Sequence, residues 1–283
     1  MRKPMADELH QTTVTAGDAR IPALGCGTWQ LRGGLCTEIV AEALRLGFRH
    51  IDTAQGYGNE AAVGEGIAAS GVPREAVFVT TKVMPNLMSD GPLQRSVEDS
   101  LTRLRLDRVD LVLLHWPNPG IPLGESVRAL ADAKRRGLTR HIGVSNFTVA
   151  NVDEAVRLSP EPIVTNQVEY HPYLDQTKVL AANRRHRLAT TAYCPIALGR
   201  VAKDPVLAAI GAAHRKSAVQ VTLRWLIQHG DVIAIPRTSR PERLRENLGI
   251  FDFALSPTEM ERISGLRSDR HLVNEPEWVP AWD

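Results

Sequence analysis

The chain has 283 residues, of which 43% are hydrophobic, so it can bury a large core and lacks the composition of a disordered protein. Its 34 basic and 32 acidic residues leave a formal net charge of +2, which is too small for a sequence-independent grip on nucleic acid or anionic lipid. The three cysteines, Cys26, Cys36 and Cys194, have no CxxC or zinc-ligand spacing. We therefore expect no disulfide framework, no metal and no nucleic-acid partner.

Neither a secretory leader nor a membrane span is predicted. The first residues, "MRKPMADELHQ", contain no apolar stretch after their basic side chains, and no apolar run approaches membrane-spanning length. We expect a cytoplasmic monomer that does not contact a membrane. The length suits one α/β barrel, so residues 1–283 are interpreted as a single domain.

The predicted elements begin with a hairpin and continue as alternating strands and helices. "TVTAGDARIPAL" (13–24) contains two short strand-like runs around the turn signal "AGD". Strand-like runs then occur at "ALGCG" (23–27), "FRHID" (48–52), "AVFVTTK" (76–82), "VDLVLLH" (109–115), "RHIGVS" (140–145), "PIVTNQ" (162–167), "LATTAYC" (188–194) and "DVIAIP" (231–236). Between them lie segments of helical periodicity such as "CTEIVAEALRLG" (36–47), "GNEAAVGEGIAAS" (58–70), "LQRSVEDSLTRLRL" (93–106) and "ESVRALADAKRRG" (125–137).

Eight such strand–helix units predict the fold class. Nearly continuous apolar strands joined by helices indicate a parallel sheet that helices cover on its outside. Because no linker or change in composition separates two halves, we predict a closed α/β (β/α)₈ TIM barrel with an N-terminal β-hairpin rather than an open doubly wound sheet. The last stretch, "SDRHLVNEPEWVPAWD" (268–283), has no periodicity and is expected to lie as a tail across the barrel or its rim.

Polar residues end nearly every predicted strand. In chain order they are Asp52, Lys82, His115, Ser145 with Asn146, Asn166 with Gln167, and Tyr193. Each has a structural explanation of its own, such as a solvated lysine, a hydrogen-bonded core histidine or a helix N-cap. Together they have no stabilising reason at the mouth of an apolar barrel unless they converge on a ligand, and chemistry collects at this end of barrel strands.

One strand end and the loop after it indicate a proton-transfer site. Asp52 ends its strand, and Tyr57 follows five residues later in the glycine-rich segment "QGYGNE". Taken alone, Asp52 could cap the next helix and Tyr57 could pack as an ordinary aromatic residue. With the other strand ends, we expect Lys82 to lower the pKa of the phenol while Asp52 keeps the lysine charged and aimed. His115 would orient or donate to a carbonyl oxygen with which the phenol exchanges a proton.

Six blocks, in order along the whole chain, resemble the signature segments of the aldo-keto reductases. They are "FRHIDTAQGYGNE", "TTKV", "LVLLHWP", "IGVSNF", "TNQVEYHP" and "IPRTSRPERLRENL". The resemblance implies a barrel whose N-terminal hairpin closes the bottom, NADPH bound extended without a Rossmann domain, and a catalytic tetrad of Asp52, Tyr57, Lys82 and His115. Within the family, the chain is most similar to bacterial 2,5-diketo-D-gluconate reductases of the B type.

The resemblance also implies a set of cofactor residues. Ser145, Asn146 and Gln167 match positions that bind the nicotinamide carboxamide, and Tyr193 matches the aromatic residue that stacks on the ring. Gly27 and Thr28 match backbone contacts beside the cofactor. Arg237, Thr238, Ser239, Arg243 and Asn247 match the segment around the adenosine 2′-phosphate, with Arg243 also placed to stack on adenine. Cys194 stands where relatives often have serine, and "GEGIAAS" (64–70) is not a dinucleotide fingerprint because it falls inside a predicted helix.

Trp29, Met84 and Trp116 flank the tetrad in sequence and would form an apolar wall around the substrate, although packing at the rim would explain them as well. The resemblance implies that small carbonyl compounds such as 2,5-diketo-D-gluconate or methylglyoxal are the substrates. Two alternatives remain open. A lysine at a barrel strand end can form a Schiff base, so Lys82 could belong to a lyase. A barrel of this kind could also serve as a non-catalytic NADPH-sensing subunit.

Overall fold

The computed structural model describes residues 12–268, 271–273 and 279–283. It begins with an antiparallel hairpin of β1 (Thr13–Ala16) and β2 (Ala19–Pro22). The Asp18 carboxylate in the hairpin turn lies 3.2 Å from Nδ1 of His141, near the start of a barrel strand. The hairpin therefore lies at the N-terminal ends of the barrel strands, as predicted.

Eight parallel strands follow, each hydrogen-bonded to its neighbour in chain order. They are β3 (Cys26–Gly27), β4 (His50–Asp52), β5 (Phe78–Val83), β6 (Val109–Leu114), β7 (Thr139–Ser145), β8 (Ile163–Glu169), β9 (Ala189–Tyr193) and β10 (Val232–Ala234). Backbone hydrogen bonds join the first strand to the last: Gly25 N–H donates to the Ala234 carbonyl at 2.8 Å, and Ala234 N–H donates to the Ala23 carbonyl at 2.9 Å. The sheet thus closes on itself, which confirms the (β/α)₈ barrel.

Helices cover the outside of the barrel. They are α1 (Gly33–Leu46), α2 (Glu60–Ser70), α3 (Pro92–Leu104), α4 (Leu123–Arg135), α5 (Val149–Leu158), α6 (Thr177–Arg185), α7 (Pro205–His214), α8 (Ala218–Gln228), α9 (Pro241–Leu248) and α10 (Pro257–Ser264). Local sequence determines where several of them begin. In α8, the Ser217 side chain accepts from the Gln220 N–H and the Gln220 side chain accepts from the Ser217 N–H, a capping box that satisfies otherwise unpaired donors.

The glycines of "GEGIAAS" serve helix packing. A Cβ at Gly64 would lie 2.2 Å from the carbonyl oxygen of Leu104, and one at Gly66 would lie 2.7 Å from Cβ of Val40. Both glycines lie inside α2, as expected, and they let α2 approach α1 and the end of α3 closely.

Within the described residues, no helix is long and apolar enough to cross a membrane. In the same part of the chain, no group of three or more His, Cys, Asp and Glu side chains is arranged to hold a metal ion.

A buried histidine lies on β4 below the polar strand ends. His50 is 1% exposed, and its Nε2 lies 3.0 Å from the Thr80 hydroxyl on β5. Burial lowers the pKa of His50 to about 4, because the charged imidazolium would lose its hydration. The folded protein therefore holds this ring neutral at pH values where the unfolded chain protonates it.

This difference predicts acid sensitivity of the fold. The pKa of His50 in the folded protein lies below the unfolded value of roughly 6.5. Its contribution to the free energy of unfolding is therefore fully present above pH 6.5 and is lost as the pH falls toward about 4. Between pH 7 and pH 4.5 His50 should account for about 2–3 kcal/mol of the lost unfolding free energy. Urea unfolding of wild type and His50→Gln at both pH values measures this. If the free energy of unfolding depends on pH in the same way in both proteins, His50 is not the source of the acid sensitivity.

Candidate active site

A cavity of about 550 Å³ opens at the C-terminal ends of the barrel strands. Its wall contains most of the residues that the sequence singled out: Gly27, Thr28, Trp29, Asp52, Tyr57, Met84, His115, Trp116, Ser145, Asn146, Gln167, Tyr193, Arg237 and Arg243. Lys82 lies directly behind this wall, against Asp52 and Tyr57. Polar strand ends thus converge on one space, as predicted.

Lys82 is the centre of the polar network. Its side chain is 1% exposed, and Nζ donates to Asp52 Oδ1 at 2.6 Å, to the Thr53 carbonyl at 2.8 Å and to the Tyr57 hydroxyl at 3.2 Å. The three donors of an ammonium group therefore each have an acceptor. Burial is the largest single effect and would lower the pKa of Lys82, but the charges and hydrogen bonds of Asp52 and Tyr57 together outweigh it, so the pKa is raised. The lysine is charged at neutral pH.

Asp52 joins the lysine to the opposite side of the barrel. Its carboxylate is buried, and while Oδ1 receives Lys82, Oδ2 accepts from Nε2 of Gln167 at 2.8 Å. β4, β5 and β8 are thereby connected through a single side chain. Asp52 does not cap the following helix, which begins at Glu60 with Asn59 as its N-cap.

Tyr57 ends a short 3₁₀ turn, Gln55–Tyr57, that directs its ring into the cavity beside Lys82. Burial raises the pKa of the phenol, and the Lys82 charge lowers it by a smaller amount, so the net direction is upward. The lysine acts on the phenol in the expected sense, but the prediction of a lowered pKa is wrong because desolvation dominates. At neutral pH the hydroxyl keeps its proton.

His115 follows β6, held by its backbone N–H, which donates to the Val83 carbonyl at 3.1 Å. Its ring meets the Tyr57 ring edge to face, with centroids 5.8 Å apart. Burial and then the nearby Lys82 charge lower the pKa of His115 to about 3. The imidazole is therefore neutral across the physiological range and can donate one N–H to a ligand.

Asn146 joins three strand ends. Its backbone adopts the left-handed conformation with φ of 63°, which asparagine tolerates, and its N–H donates to the Gln167 carbonyl at 2.9 Å. The side-chain Nδ2 donates to the His115 carbonyl at 3.0 Å, and Oδ1 accepts from the Tyr193 hydroxyl at 2.8 Å. Ser145 Oγ donates to the Gln167 carbonyl at 2.8 Å. The predicted carboxamide residues and the stacking tyrosine thus form one network.

Asn166 was predicted to converge on the site with the other strand-end residues, but it does not line the cavity. Its Nδ2 donates to the Phe147 carbonyl at 2.9 Å and approaches Oδ1 of Asn183 on α6 at 3.4 Å. Successive side chains of a strand point to opposite faces, so Asn166 faces the helices when Gln167 faces the cavity.

The predicted phosphate segment divides into two groups. Arg237 and Arg243 reach the cavity, whereas Thr238, Ser239 and Asn247 lie outside its lining. Thr238 Oγ1 accepts from the Arg240 N–H at 3.0 Å, which shapes the turn into α9.

The three residues predicted for an apolar wall lie together at the cavity. Trp29, Met84 and Trp116 all line the cavity, and Trp116 is the most deeply buried of the three. A Cβ at Gly56 would lie 2.8 Å from the Met84 sulfur, so glycine at this position lets Met84 pack over the loop of Tyr57. The sequence contains this glycine, but its reason is visible only in three dimensions.

Sequence reasoning missed Asn59, which ties two loops of the site together. It is 3% exposed; Nδ2 donates to the carbonyls of Thr28 at 2.8 Å and Leu31 at 3.1 Å, and Oδ1 accepts from the Thr53 hydroxyl at 2.8 Å. The loop that carries Trp29 is thereby fixed to the loop after β4. The "YGNE" block contained this residue without indicating its partners.

Sequence reasoning also missed Leu198, Gly199 and Val273, which line the cavity. Leu198 is 62% exposed and has a φ of 55°, an uncommon conformation for leucine. The neighbouring Cys194 lies at the cavity too, and burial raises the pKa of its thiol to about 12, so it stays a thiol rather than a reactive thiolate.

The chain matches the model of the Aldo/keto reductase family over residues 23–268. It is 42% identical over 266 residues to the methylglyoxal reductase DkgB of Salmonella typhi, across 93% of this chain and 99% of that protein. The crystal structure of a candidate 2,5-diketo-D-gluconic acid reductase B has a TM-score of 0.95 and is 48% identical, with 99% of this chain and 100% of that chain covered. An aldo-keto reductase of Bombyx mori in complex with NADP has a TM-score of 0.87 and 32% identity, over 94% of this chain and 96% of that chain. The chain therefore belongs to the aldo/keto reductase family, with relatives named as 2,5-diketo-D-gluconate reductase B and methylglyoxal reductase.

Proposed function

We propose that the chain reduces small aldehydes and ketones to alcohols with NADPH, and that Tyr57 supplies the proton. The observation that carries this proposal is the buried Lys82 ammonium, which donates to both Asp52 and the Tyr57 hydroxyl at the wall of a cavity. Membership of the family and similarity to a methylglyoxal reductase support carbonyl reduction as the reaction class.

The residues around the cavity fit NADPH. The Tyr193 ring and the amide network of Asn146 and Gln167 would hold the nicotinamide, and Arg237 with Arg243 would hold the 2′-phosphate. When bound, NADPH supplies the hydride that a carbonyl carbon receives. The NADP complex of the Bombyx mori relative supports this choice of cofactor.

The side chains of the site then handle the oxygen. A carbonyl oxygen placed between the Tyr57 hydroxyl and the neutral His115 ring can accept from both groups. Tyr57 gives its proton as the oxygen becomes an alcohol, and the Lys82 charge stabilises the phenolate that remains. Asp52 keeps Lys82 charged throughout. A raised phenol pKa suits this direction, because the donor must hold its proton before the reaction.

The Schiff-base alternative is disfavoured by the state of Lys82. A lysine that attacks a carbonyl must be neutral and accessible. Here the side chain is 1% exposed, the ammonium donates to three acceptors, and the pKa is raised. Borohydride trapping with substrate should therefore not label Lys82.

A non-catalytic sensor is the other alternative. Such a subunit needs the cofactor residues but no connected proton donor. The continuous contact from Asp52 through Lys82 to Tyr57, next to His115, favours an enzyme. A screen of NADPH oxidation against a panel of carbonyl compounds, with methylglyoxal, 2,5-diketo-D-gluconate and a ketosteroid in it, tests both the activity and the preference for small substrates.

Tyr57→Phe should remove the proton donor while the ring and its packing remain. We expect kcat for carbonyl reduction to fall roughly 10²–10⁴-fold with NADPH affinity retained. The matched control is Tyr170→Phe, since Tyr170 is a buried tyrosine that packs against Trp225, away from the cavity lining. Turnover near the wild-type rate in Tyr57→Phe would remove Tyr57 from its role.

The pH profile for carbonyl reduction should show no ionisation of His115 near neutrality. His115 has a pKa of about 3, so it stays neutral as the pH falls through 6.5, and the raised pKa of Tyr57 keeps the phenol protonated as the pH rises toward 10. We expect kcat/KM for reduction to be flat between about pH 5 and 9 wherever the protein remains folded. An acid limb with a midpoint near 6.5 that disappears in His115→Asn would contradict the neutral imidazole.

Arg243→Ala should weaken NADPH selectively. Loss of one charge-assisted hydrogen bond corresponds to an affinity for NADPH about tenfold to a hundredfold lower, and NADH, which lacks the phosphate, should lose only the smaller contribution of adenine stacking. Arg245→Ala is the control, because Arg245 lies on the same helix but pairs with Glu42 at 3.3 Å. Fluorescence titration with both cofactors measures the effect. Equal losses for both cofactors would assign Arg243 to the shared part of the dinucleotide.

A further inference from the structure

A buried carboxylate that the proposed reaction does not use lies at the end of β8. The Glu169 side chain is 0% exposed. It accepts from the backbone N–H of Leu272 at 2.9 and 3.2 Å and from that of Val273 at 3.1 Å. These donors belong to the tail, a name used here for residues 271–273 and 279–283. One strand-end carboxylate therefore holds a segment about a hundred positions further along the chain.

Two histidines complete the contacts of Glu169. His171 Nδ1 accepts from the Tyr173 N–H at 3.3 Å, so its Nε2 carries the proton and donates to Glu169 at 2.9 Å. His271, in the tail, lies with Nδ1 3.3 Å from the carboxylate. The His271 ring stacks on Trp282, with centroids 4.1 Å apart and planes 12° apart.

The tail reaches the substrate wall from this attachment. The Trp282 ring lies 6.2 Å from the ring of Trp116, which lines the cavity, and Val273 lines the cavity itself. A second attachment lies beyond Trp282, where the Asp283 carboxylate accepts from the Val149 N–H at 2.8 Å, at the start of α5. Negative charge is favourable at a helix N-terminus.

Loss of the tail would leave the Glu169 charge buried without its backbone donors. Burial raises the pKa of Glu169, but the hydrogen bonds from His171, His271 and the tail backbone outweigh it and lower the pKa to about 2. Because a buried carboxylate that keeps only the His171 donor is less well satisfied, these hydrogen bonds favour the docked position of the tail.

We propose that Glu169 is a positioning residue that holds the tail against the cavity and thereby sets the size of carbonyl compound the site accepts. This inference rests on the proposed reductase function. Val273 lines the cavity, and Trp282 packs against Trp116, which lines it too, so the docked tail would limit the space to small carbonyl compounds. Glu169 itself does not touch the reacting atoms, and its effect passes through the tail.

Glu169→Gln tests the proposal with little change in shape. We expect the KM for methylglyoxal to rise roughly tenfold, which corresponds to about 1.4 kcal/mol, while kcat and NADPH affinity stay close to wild type. The ratio of kcat/KM for a bulky aromatic ketone to that for methylglyoxal should rise. Glu154→Gln is the control, because Glu154 lies half-exposed on α5. A fall in kcat with unchanged KM would overturn the proposal.

Two tail variants separate positioning from a general effect on the barrel. Leu272→Pro removes one N–H donor to Glu169 and should reproduce the KM rise without altering β8. In a Trp282→Ala background, the further effect of Glu169→Gln on KM should be smaller than in wild type, because one of the two contacts that Glu169 supports is already gone. Additive effects of the two substitutions, or an unchanged KM in Leu272→Pro, would overturn the proposal.

Hydrogen exchange provides a readout that does not need turnover. The amides of Leu272 and Val273 should be protected in wild type and in Glu154→Gln, and should exchange faster in Glu169→Gln. Equal exchange in all three proteins would show that Glu169 does not hold the tail. If none of the carbonyl compounds supports NADPH oxidation by the wild type, the proposed function fails. The exchange result still decides whether Glu169 anchors the tail.

Discussion

The charge of Lys82 within the barrel is the constraint on which the site depends. An ammonium removed from water costs several kcal/mol unless its donors and its charge are matched, and removal of one partner of a buried pair typically costs about 3–5 kcal/mol. Here Asp52 neutralises it, and the Thr53 carbonyl and Tyr57 hydroxyl take the other donors. Gln167 occupies the second Asp52 oxygen, so satisfying one charge fixes the relative positions of three strands and one loop. The same contacts that make the lysine tolerable in the core place the phenol at the cavity.

Two opposite effects act on the pKa of the Tyr57 phenol inside the barrel. Burial opposes a charged Tyr57, and the nearby Lys82 favours one, with burial the larger effect before any reaction. This balance suits the proton donor of the proposed reaction, because the resting hydroxyl keeps its proton and a phenolate would face a fixed positive charge. Neutral His115 adds a donor without adding a second positive charge that would compete with Lys82. A charged His115 would repel the Lys82 ammonium and so weaken the Lys82–Asp52 ion pair.

The fold and the main features of the site could be predicted because they depend on local patterns. Apolar runs at regular spacing mark barrel strands, and a polar residue at the end of such a run is visible in the sequence itself. The prediction for Asn166 was wrong because strand register decides which of two adjacent residues faces inward. Asn166 donates to the Phe147 carbonyl on the helix side. The pKa direction of Tyr57 was wrong because a sequence identifies the charged neighbour but not the depth of burial. The anchoring of the tail by Glu169 was missed because its partners are separated by 102–104 positions, and no local periodicity encodes such a contact.

Arg237 connects the barrel strands to a loop at the rim of the cavity. Its backbone pairs with Gly27 across the closure of the barrel, and its Nε donates to the Trp29 carbonyl at 3.1 Å. Guanidinium carries five N–H donors in a planar fork, so Nε can hold the loop of Trp29 while the terminal nitrogens stay available to the phosphate of the proposed cofactor. A lysine at this position would offer one ammonium for both contacts. The cavity wall at Trp29 and the proposed phosphate site are thus connected through a single side chain, and arginine, unlike lysine, makes that connection compatible with binding an anion.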